Sequence, residues 1–549
     1  MNGNMMNHPL LISDLIEHAA KYYPTSEIVS QRLEGDVHRY TYKDANLRSK
    51  KLANALTHSG ITQGDRVGTL AWNGYRHYEI YYAVSGMGAV THTINPRLFP
   101  EQVVYIINHA EDRMLFVDLT FVPLLEQIQD KIPSVETIII MADKSHMPET
   151  SLSSGACSVI CYETYLENSS DDFDWPQLND KTAAAICYTS GTTGNPKGVV
   201  YSHRSTLLHA FGSTIPEALS ISSRSTLLPV VPMFHVCAWG TPYSATLSGA
   251  KLVFPGAALD GKSLATLIEA EQPTLLLGVP TIWLGLLQYL KEHEIRLNSV
   301  ENVVIGGSAA PLSMIQSFDE DHGAFVMHAW GMTEMSPIGT IGAYTREMDN
   351  ASKEERYAIQ QKQGRPVFGV QLKIVDDEGQ AQPNDGKAFG RLMVKGPWII
   401  ERYFKAESTA LENGWFDTGD VATLDPQGYM KIVDRNKDVI KSGGEWISSI
   451  DLENAAVGHP AIQEACVIGI QHPKWDERPL LLVIKQQGQN VSKDDIIAHL
   501  SSKVAKWWLP NDVVFVDELP HTATGKLLKV NLRDQFGDHY INLHNSNPS

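Results

Sequence analysis

Between about residues 180 and 340, short apolar runs alternate with segments of helical period, and this alternation narrows the possible folds more than any other feature. Leu227–Val231, Lys251–Phe254, Leu275–Val279 and Val303–Gly307 read as buried strands; Leu264–Ala270, Ile282–Leu290 and Leu312–Phe318 read as helices. Strands interleaved with helices predict parallel α/β layers. Residues 9–140 share the texture, with helices near Leu11–Tyr22 and Tyr42–Gly60 and a strand at Arg66–Ala71. After about residue 360 the pattern changes. Val370–Val375 alternates apolar and polar as a half-exposed strand does, and Asp425–Gly428 is a turn joining Val421–Leu424 to Tyr429–Val433 in a hairpin. The charged stretch Asp434–Asp438 divides two apolar-patterned regions. The expected fold is therefore α/β: a large N-terminal domain over 1–434, made of layered α/β subdomains plus a β-rich subdomain, and a small α+β domain over 435–549.

A chain of 549 residues is long enough for two or more domains. Its net charge of −18 argues against a nucleic-acid surface and against a polybasic membrane patch. Five cysteines (Cys157, Cys161, Cys187, Cys237, Cys466) are few, odd in number and scattered, and none has a Cys/His partner set with zinc spacing. They read as reduced thiols in a cytoplasmic protein. The N-terminus has no basic segment ahead of an apolar core, so no signal peptide is expected. No 18 consecutive apolar residues occur, so no integral membrane segment is expected.

Five motifs carry chemistry. The run Tyr188-Thr-Ser-Gly-Thr-Thr-Gly-Asn-Pro-Lys197-Gly198 is rich in glycine and hydroxyls and ends in one lysine. Backbone N–H groups and hydroxyls in such a loop can cradle phosphate, with Lys197 as a mobile cation; by itself the run suits a flexible surface turn equally well. It is not the common nucleotide loop, because Pro196 stands where that pattern needs glycine. Gly306-Gly-Ser-Ala-Ala-Pro311 follows a strand and opens a helix with Pro311 in its early turn, and its small residues would let a flat ring or ribose lie on the backbone, although by itself a tight strand-to-helix connection suits it equally well. His328-Ala-Trp-Gly-Met-Thr-Glu334 offers Trp330 for stacking and Glu334 for Mg²⁺. In Trp415-Phe-Asp-Thr-Gly-Asp420 the last carboxylate can accept two ribose hydroxyls, although an aspartate in a turn is usually only a turn residue. Thr522-Ala-Thr-Gly-Lys526 places a lysine in a flexible loop.

Together these motifs, in this order, resemble the adenylate-forming enzymes: acyl- and aryl-CoA synthetases, peptide-synthetase adenylation domains and firefly luciferases. The resemblance runs from roughly residue 10 to 535. Val231-Pro-Met-Phe-His-Val-Cys-Ala-Trp239 and Asp434-Arg-Asn-Lys-Asp-Val-Ile-Lys-Ser-Gly-Gly-Glu-Trp446 are most similar to bacterial fatty-acyl-CoA synthetases. The resemblance implies that Thr189, Ser190, Gly191, Thr192, Thr193, Gly194 and Lys197 wrap the β- and γ-phosphates of ATP, with Thr189 and Glu334 near Mg²⁺. Gly307, Ser308, His328, Ala329 and Trp330 would line the adenine pocket, Thr333 would bond the α-phosphate, and Asp420 and Arg435 would hold the ribose. Lys437 would be the hinge of a mobile small domain, Lys441 and Trp446 nucleotide-side contacts, and Lys526 the bridge between substrate carboxylate and α-phosphate. His235 would clear a path for pantetheine and Trp239 would gate an acyl tunnel.

The resemblance implies a two-step reaction. Mg²⁺, Lys197 and Lys526 neutralise the charge that develops as a carboxylate attacks the α-phosphate. The small domain then turns about Lys437 and presents Gly443 and Gly444 to coenzyme A. The implied enzyme is a stand-alone, AMP-forming acyl-CoA ligase, cytoplasmic and homodimeric; a carrier-protein-loading enzyme, a luciferase-like oxygenase and a non-enzymatic nucleotide sensor are the alternatives. Val236, Cys237, Ala238 and Trp239 suggest an aliphatic acid. Medium-chain fatty-acid ligases and ligases of 3-methylthiopropanoate are about equally similar.

Overall fold

A computed structural model describes residues 1, 3–154, 157–189, 195–442, 445–521 and 527–546. Two large sheets form its main body. The first has nine strands, running from Arg365–Pro366 at one edge through Ile338–Ile341, Phe325–Gly331, Asn302–Ile305, Leu275–Gly278, Thr226–Pro229, Lys251–Phe254 and Glu27–Gln31 to Val37–Thr41. The second has seven: Ser158–Cys161, Thr137–Ile140, Asp112–Val117, Arg66–Leu70, Val90–Thr93, Ala183–Tyr188 and Gly198–Ser202. From Phe325–Gly331 to Glu27–Gln31, and from Ser158–Cys161 to Ala183–Tyr188, neighbouring strands pair in parallel. Parallel strands need both faces covered, which is why their sequences are continuous apolar runs. Between the sheets lies a shared core in which Tyr78, Tyr81 and Tyr82, from helix Tyr75–Gly86, pack with Tyr243 and Phe254.

A five-stranded antiparallel sheet follows, with Gln371–Val375, Phe389–Lys395 and Trp415–Leu424 side by side, Leu411–Glu412 on the last, and Met430–Arg435 completing the expected hairpin. A second five-stranded sheet forms the smaller C-terminal domain, with Ile440–Ser442, Glu445–Ile447, Ile462–His472, Asp476–Lys485 and Asp512–Phe515. Helices Ser449–Val457 and Lys493–Ser501 help close its own core around Ile447, Leu452, Val467, Leu481 and Val513.

The helical boundaries follow local chemistry. Helix Tyr42–His58 begins at a reciprocal cap: Thr41 Oγ1 accepts the Asp44 N–H, and Asp44 accepts the Thr41 N–H. Three details differ from expectation. The strand expected over Leu227–Val231 ends at Pro229, because the Val230 and Val231 N–H groups both turn to the Leu277 carbonyl as the chain leaves the sheet. The helix after Gly306 starts at Leu312, with Pro311 as its N-cap rather than within its first turn. Asp420, expected in a turn ahead of the hairpin, lies inside strand Trp415–Leu424. The turn chemistry is nevertheless real. Asp417 Oδ1 accepts the Gly419 N–H, Thr418 Oγ1 accepts the Asp420 N–H, and Gly419 sits at φ +70°, so the signature produces an irregularity within the strand.

Candidate active site

Three of the motifs lie at the carboxyl ends of parallel strands, where open α/β sheets place their ligands: the run from Tyr188 ends strand Ala183–Tyr188, Gly306–Pro311 follows Asn302–Ile305, and His328–Glu334 ends Phe325–Gly331. Strands Asn302–Ile305 and Phe325–Gly331 are in register with Ile305 opposite His328, so Gly306-Gly307 leave the sheet beside Ala329-Trp330, which continue their strand against Ile338–Ile341. Glycine is required at 306: a Cβ there would come within 2.9 Å of the Trp239 ring and 3.2 Å of the Ala329 carbonyl oxygen. Gly307 has φ +84°, and with Ser308 it faces solvent. His328 is buried, and that burial pushes its imidazole down to about 4, so it is neutral at pH 7. Its Nδ1 lies 3.1 Å from the Gln361 carbonyl and its Nε2 3.4 Å from Gln363 Nε2. The neutral ring therefore donates from Nδ1 and accepts at Nε2. Gln363 Oε1 in turn accepts the Ile432 N–H at 2.6 Å, tying the third sheet to the first.

Trp330 Nε1–H donates to Asp420 Oδ2 at 2.9 Å, and Arg435 Nε lies 2.9 Å from Asp420 Oδ1. Asp420 and Arg435 are direct partners across the hairpin. One buried carboxylate thus orients an indole and a guanidinium at the same edge. Each of its oxygens has a second lone pair to offer a ligand hydroxyl.

At the other end, Thr189 and Lys197 close the neck of the glycine-rich loop. The Thr189 N–H donates to the Lys197 carbonyl at 3.0 Å, and the Lys197 N–H donates to Thr189 Oγ1 at 3.1 Å. Ser190, Gly191, Thr192, Thr193 and Gly194 lie outside the described residues. Tyr403 joins two expected site residues: its hydroxyl donates to Glu334 Oε1 at 2.8 Å, and Lys197 Nζ sits 5.0 Å from its ring centroid. Burial and the nearby Glu334 carboxylate push the Tyr403 phenol well up, so it stays protonated as a donor. The Glu334 carbonyl accepts the Ile400 N–H, and the Thr333 carbonyl accepts the Tyr201 hydroxyl at 2.6 Å, fixing both residues at the strand end. Among the described residues no group of three or more His, Cys, Asp or Glu side chains could hold a metal. One carboxylate and one hydroxyl, Glu334 and Thr189, instead suit an ion that arrives with phosphate oxygens and keeps most of its water, as Mg²⁺ does.

The segment carrying His235 and Trp239 is locally unusual. Val236, Cys237, Ala238 and Trp239 have φ of 49°, 50°, 50° and 57°, a left-handed helical turn without glycine. Such residues cost roughly 1–2 kcal/mol each. The Ala238 N–H donates to the Pro232 and His235 carbonyls and the Gly240 N–H to that of Cys237, while Asn73 pins the approach. Its Nδ2 donates to the Pro229 and Val231 carbonyls at 2.8 Å, and its Oδ1 accepts the Met233 N–H at 2.6 Å. Gly240, at φ +75°, meets the His209 ring, which a Cβ would approach to 2.7 Å. Trp239, half-buried against the core, therefore stands next to the Gly306 loop.

Lys437 is exposed in the turn between strands Met430–Arg435 and Ile440–Ser442. Lys441 pairs with Trp446 across the next hairpin, and its N–H donates to Glu477 of the small domain's own sheet. Gly443, Gly444 and Lys526 lie outside the described residues, as does the side chain of Trp446. The structure thus brings together Gly306, Gly307, His328, Ala329, Trp330, Asp420, Arg435 and Trp239 at one end, and Thr189, Lys197 and Glu334 at the other. Tyr403, Asn73 and Gln363 escaped sequence reasoning because each acts on partners distant in the chain.

Residues 16–404 match the family described as "AMP-binding enzyme", and residues 451–526 match "AMP-binding enzyme C-terminal domain". A 3-methylmercaptopropionyl-CoA ligase of Ruegeria lacuscaerulensis is 51% identical, over 98% of this chain and 99% of that one. A medium-chain-fatty-acid–CoA ligase of Ectopseudomonas oleovorans is 49% identical, over 98% of each chain. The crystal structure of an anthranilate CoA ligase in complex with anthranoyl-AMP superposes with a TM-score of 0.84 at 24% identity, covering 97% of this chain and 99% of that one, which bears on the fold alone. On the matched segments and these relatives, the chain belongs to the AMP-binding enzyme family and, within it, to the acyl-CoA ligases.

Proposed function

We propose that the chain joins an aliphatic carboxylic acid to coenzyme A through an acyl-adenylate, consuming ATP and releasing AMP and pyrophosphate. The acid is a short- or medium- to long-chain fatty acid or 3-methylthiopropanoate. The observation that carries this reading is the contact between Trp239 and the Gly306 loop: an apolar ring stands against a segment that we assign to the nucleotide. An amino-acid substrate would need a carboxylate there for its ammonium group.

Each part of the cleft has its own task. Trp330 and Gly307 flank the adenine, with Asp420 and Arg435 on the ribose. Thr333 bonds the α-phosphate, while Lys197, Thr189 and the loop between them hold the departing pyrophosphate. When bound, Mg²⁺ supplies positive charge to the phosphate oxygens, held by Glu334 and Thr189. Lys526 bridges the attacking carboxylate and the α-phosphate, offsetting charge as it develops. The domains meet at 434/435. Rotation of the 435–549 domain about Lys437 then withdraws Lys526 and brings Gly443, Gly444, Lys441 and Trp446 to the cleft, while His235 yields to pantetheine. A buried adenylate is shielded from water through both steps. On the same resemblance we take the enzyme to be a cytoplasmic homodimer acting in lipid metabolism.

The test is direct. Incubation with an acid, ATP and Mg²⁺, followed by coenzyme A, yields an acyl-CoA thioester by mass. Pyrophosphate release with no thioester would instead favour carrier-protein loading. A kcat/KM series from propanoate to palmitate, including 3-methylthiopropanoate, then identifies the preferred acid.

A further inference from the structure

Two cysteines meet where the strand leading to Thr189 packs against the turn that carries Trp239. Cys187 is the penultimate residue of strand Ala183–Tyr188, two positions before Thr189. Cys237 lies in the left-handed turn that carries Trp239. Their sulfurs are 3.8 Å apart, and Thr93 Oγ1, from the neighbouring strand, is 3.1 Å from Cys187 Sγ. Both thiols are buried. The other thiols are engaged elsewhere or remote: Cys157 and Cys161 donate to the Val135 and Ala142 carbonyls, and Cys466 belongs to the small domain.

We propose that Cys187 and Cys237 are a reversible oxidation site for a hydroperoxide, and that their disulfide stops the ligase by tying the strand that enters the phosphate loop to the turn that carries Trp239. The consequence for activity rests on the ligase reading; the bond itself does not. Geometry supplies the coupling. A disulfide requires the sulfurs to close from 3.8 Å to about 2 Å, a change shared between the two side-chain torsions and the turn and strand end that carry them. Displacements near 1 Å in a positioning element can cost about a hundredfold in rate. The left-handed turn, built without glycine, already lies outside the ordinary range of such residues.

Cys187, with Thr93 Oγ1 3.1 Å from its sulfur as well as Cys237 Sγ at 3.8 Å, is taken as the thiol that reacts first. Its sulfur attacks one peroxide oxygen, the O–O bond breaks, and the alcohol or water leaves with the Cys187 proton, giving a sulfenic acid. The Cys237 sulfur then attacks that sulfur. The S–S bond forms, the S–O bond breaks, and hydroxide leaves with the Cys237 proton as water. Two thiols and one hydroperoxide thus become a disulfide, an alcohol (or water) and water; an external dithiol reverses the change by exchange.

The experiment treats the full-length protein with hydrogen peroxide, digests it without reduction and measures thioester formation in parallel. A peptide linked through Cys187 and Cys237, lighter by two hydrogens (about 2 Da), is expected. Activity should fall by about a hundredfold and return with dithiothreitol. Cys187→Ala should keep its activity under the same treatment, and Cys187→Ser serves if the alanine variant folds poorly. Oxidation confined to other cysteines, a 187–237 link without loss of activity, or equal inactivation of the Cys187 variant would each overturn the proposal. If the untreated protein makes no thioester, the ligase reading fails, while the link is still read by mass.

Discussion

Two acidic clusters flank Arg435, and they are built for different ends. On the side of the candidate site, Asp420 is held by Trp330 Nε1 and Arg435 Nε, both partners being half-buried. On the small-domain side, Asp434 accepts the Ser449 N–H at 2.9 Å and the Arg435 N–H at 2.8 Å, and Glu453 pairs with Lys529 Nζ at 2.7 Å. Lys529 also bonds Ser449 Oγ. Burial pushes Asp434 and Glu453 up, with Lys529 opposing it in both. The same elements are joined further by Ser448 Oγ on the Val433 carbonyl and Lys431 on Asp451. The first cluster leaves each Asp420 oxygen a lone pair and has half-buried partners; in the second, Asp434 and Lys529 are both buried. A pre-oriented acid can serve binding, whereas an enclosed one serves the fit between two parts of the chain.

The division between chemistry and structural fit is tested most severely at Lys526. Lys526→Ala should lower adenylation by about a thousandfold, the scale of removing a positioned charge donor. It should leave thioester formation from supplied acyl-adenylate nearly unchanged. Equal loss in both half-reactions would show that the lysine serves structure and not the first step. Next in size is Lys529→Ala, which leaves Glu453 and Asp434 buried without their cation, at a cost of about 3 kcal/mol. That loss should appear in urea unfolding as an early transition of the small domain, with affinity for ATP little altered in the folded protein. An unchanged midpoint would mean that the enclosed cluster is solvated and does not hold the joint.

Much of this architecture could be read from the sequence, for identifiable reasons. Strands such as Lys251–Phe254 and Leu275–Gly278 are covered on both faces, so their apolar runs are continuous and their limits nearly local. Gly306, read as room for a flat ring or ribose, has the Trp239 ring and the Ala329 carbonyl close against it, neighbours that no spacing rule links to it. The misplacement of Asp420 has a local cause: Asp417-Thr418-Gly419 does make turn hydrogen bonds, but pairing on both sides absorbs them into a strand. The left-handed turn at Val236–Trp239 had no glycine to signal it. Tyr403 and Asn73 bond partners far along the chain, and no spacing rule links such pairs.

An effect of intermediate size is expected at the open cluster. Asp420→Ala removes the common acceptor of Trp330 and Arg435, each a hydrogen bond to a charged group. Such bonds contribute about 1.5–3 kcal/mol, so KM for ATP should rise about thirtyfold, with a smaller change in kcat. A drop in kcat at constant KM would place Asp420 with the reacting groups rather than with binding.

The finest test separates the two interactions of Tyr403. Tyr403→Phe deletes only the hydroxyl that donates to Glu334, and a hydrogen bond to a partly buried carboxylate implies a loss of about fivefold in the adenylation half-reaction. Tyr403→Ala also removes the ring beneath Lys197 Nζ, which at a part-exposed site adds about a further threefold. The phenylalanine loss should show chiefly as a higher Mg²⁺ requirement, since Glu334 alone has lost its partner. The additional alanine loss should show as weaker pyrophosphate inhibition, as the role proposed for Lys197 requires. If both variants shift the same parameter by the same factor, Tyr403 holds one group only, and the bridge between Glu334 and Lys197 is a geometric coincidence without energetic coupling.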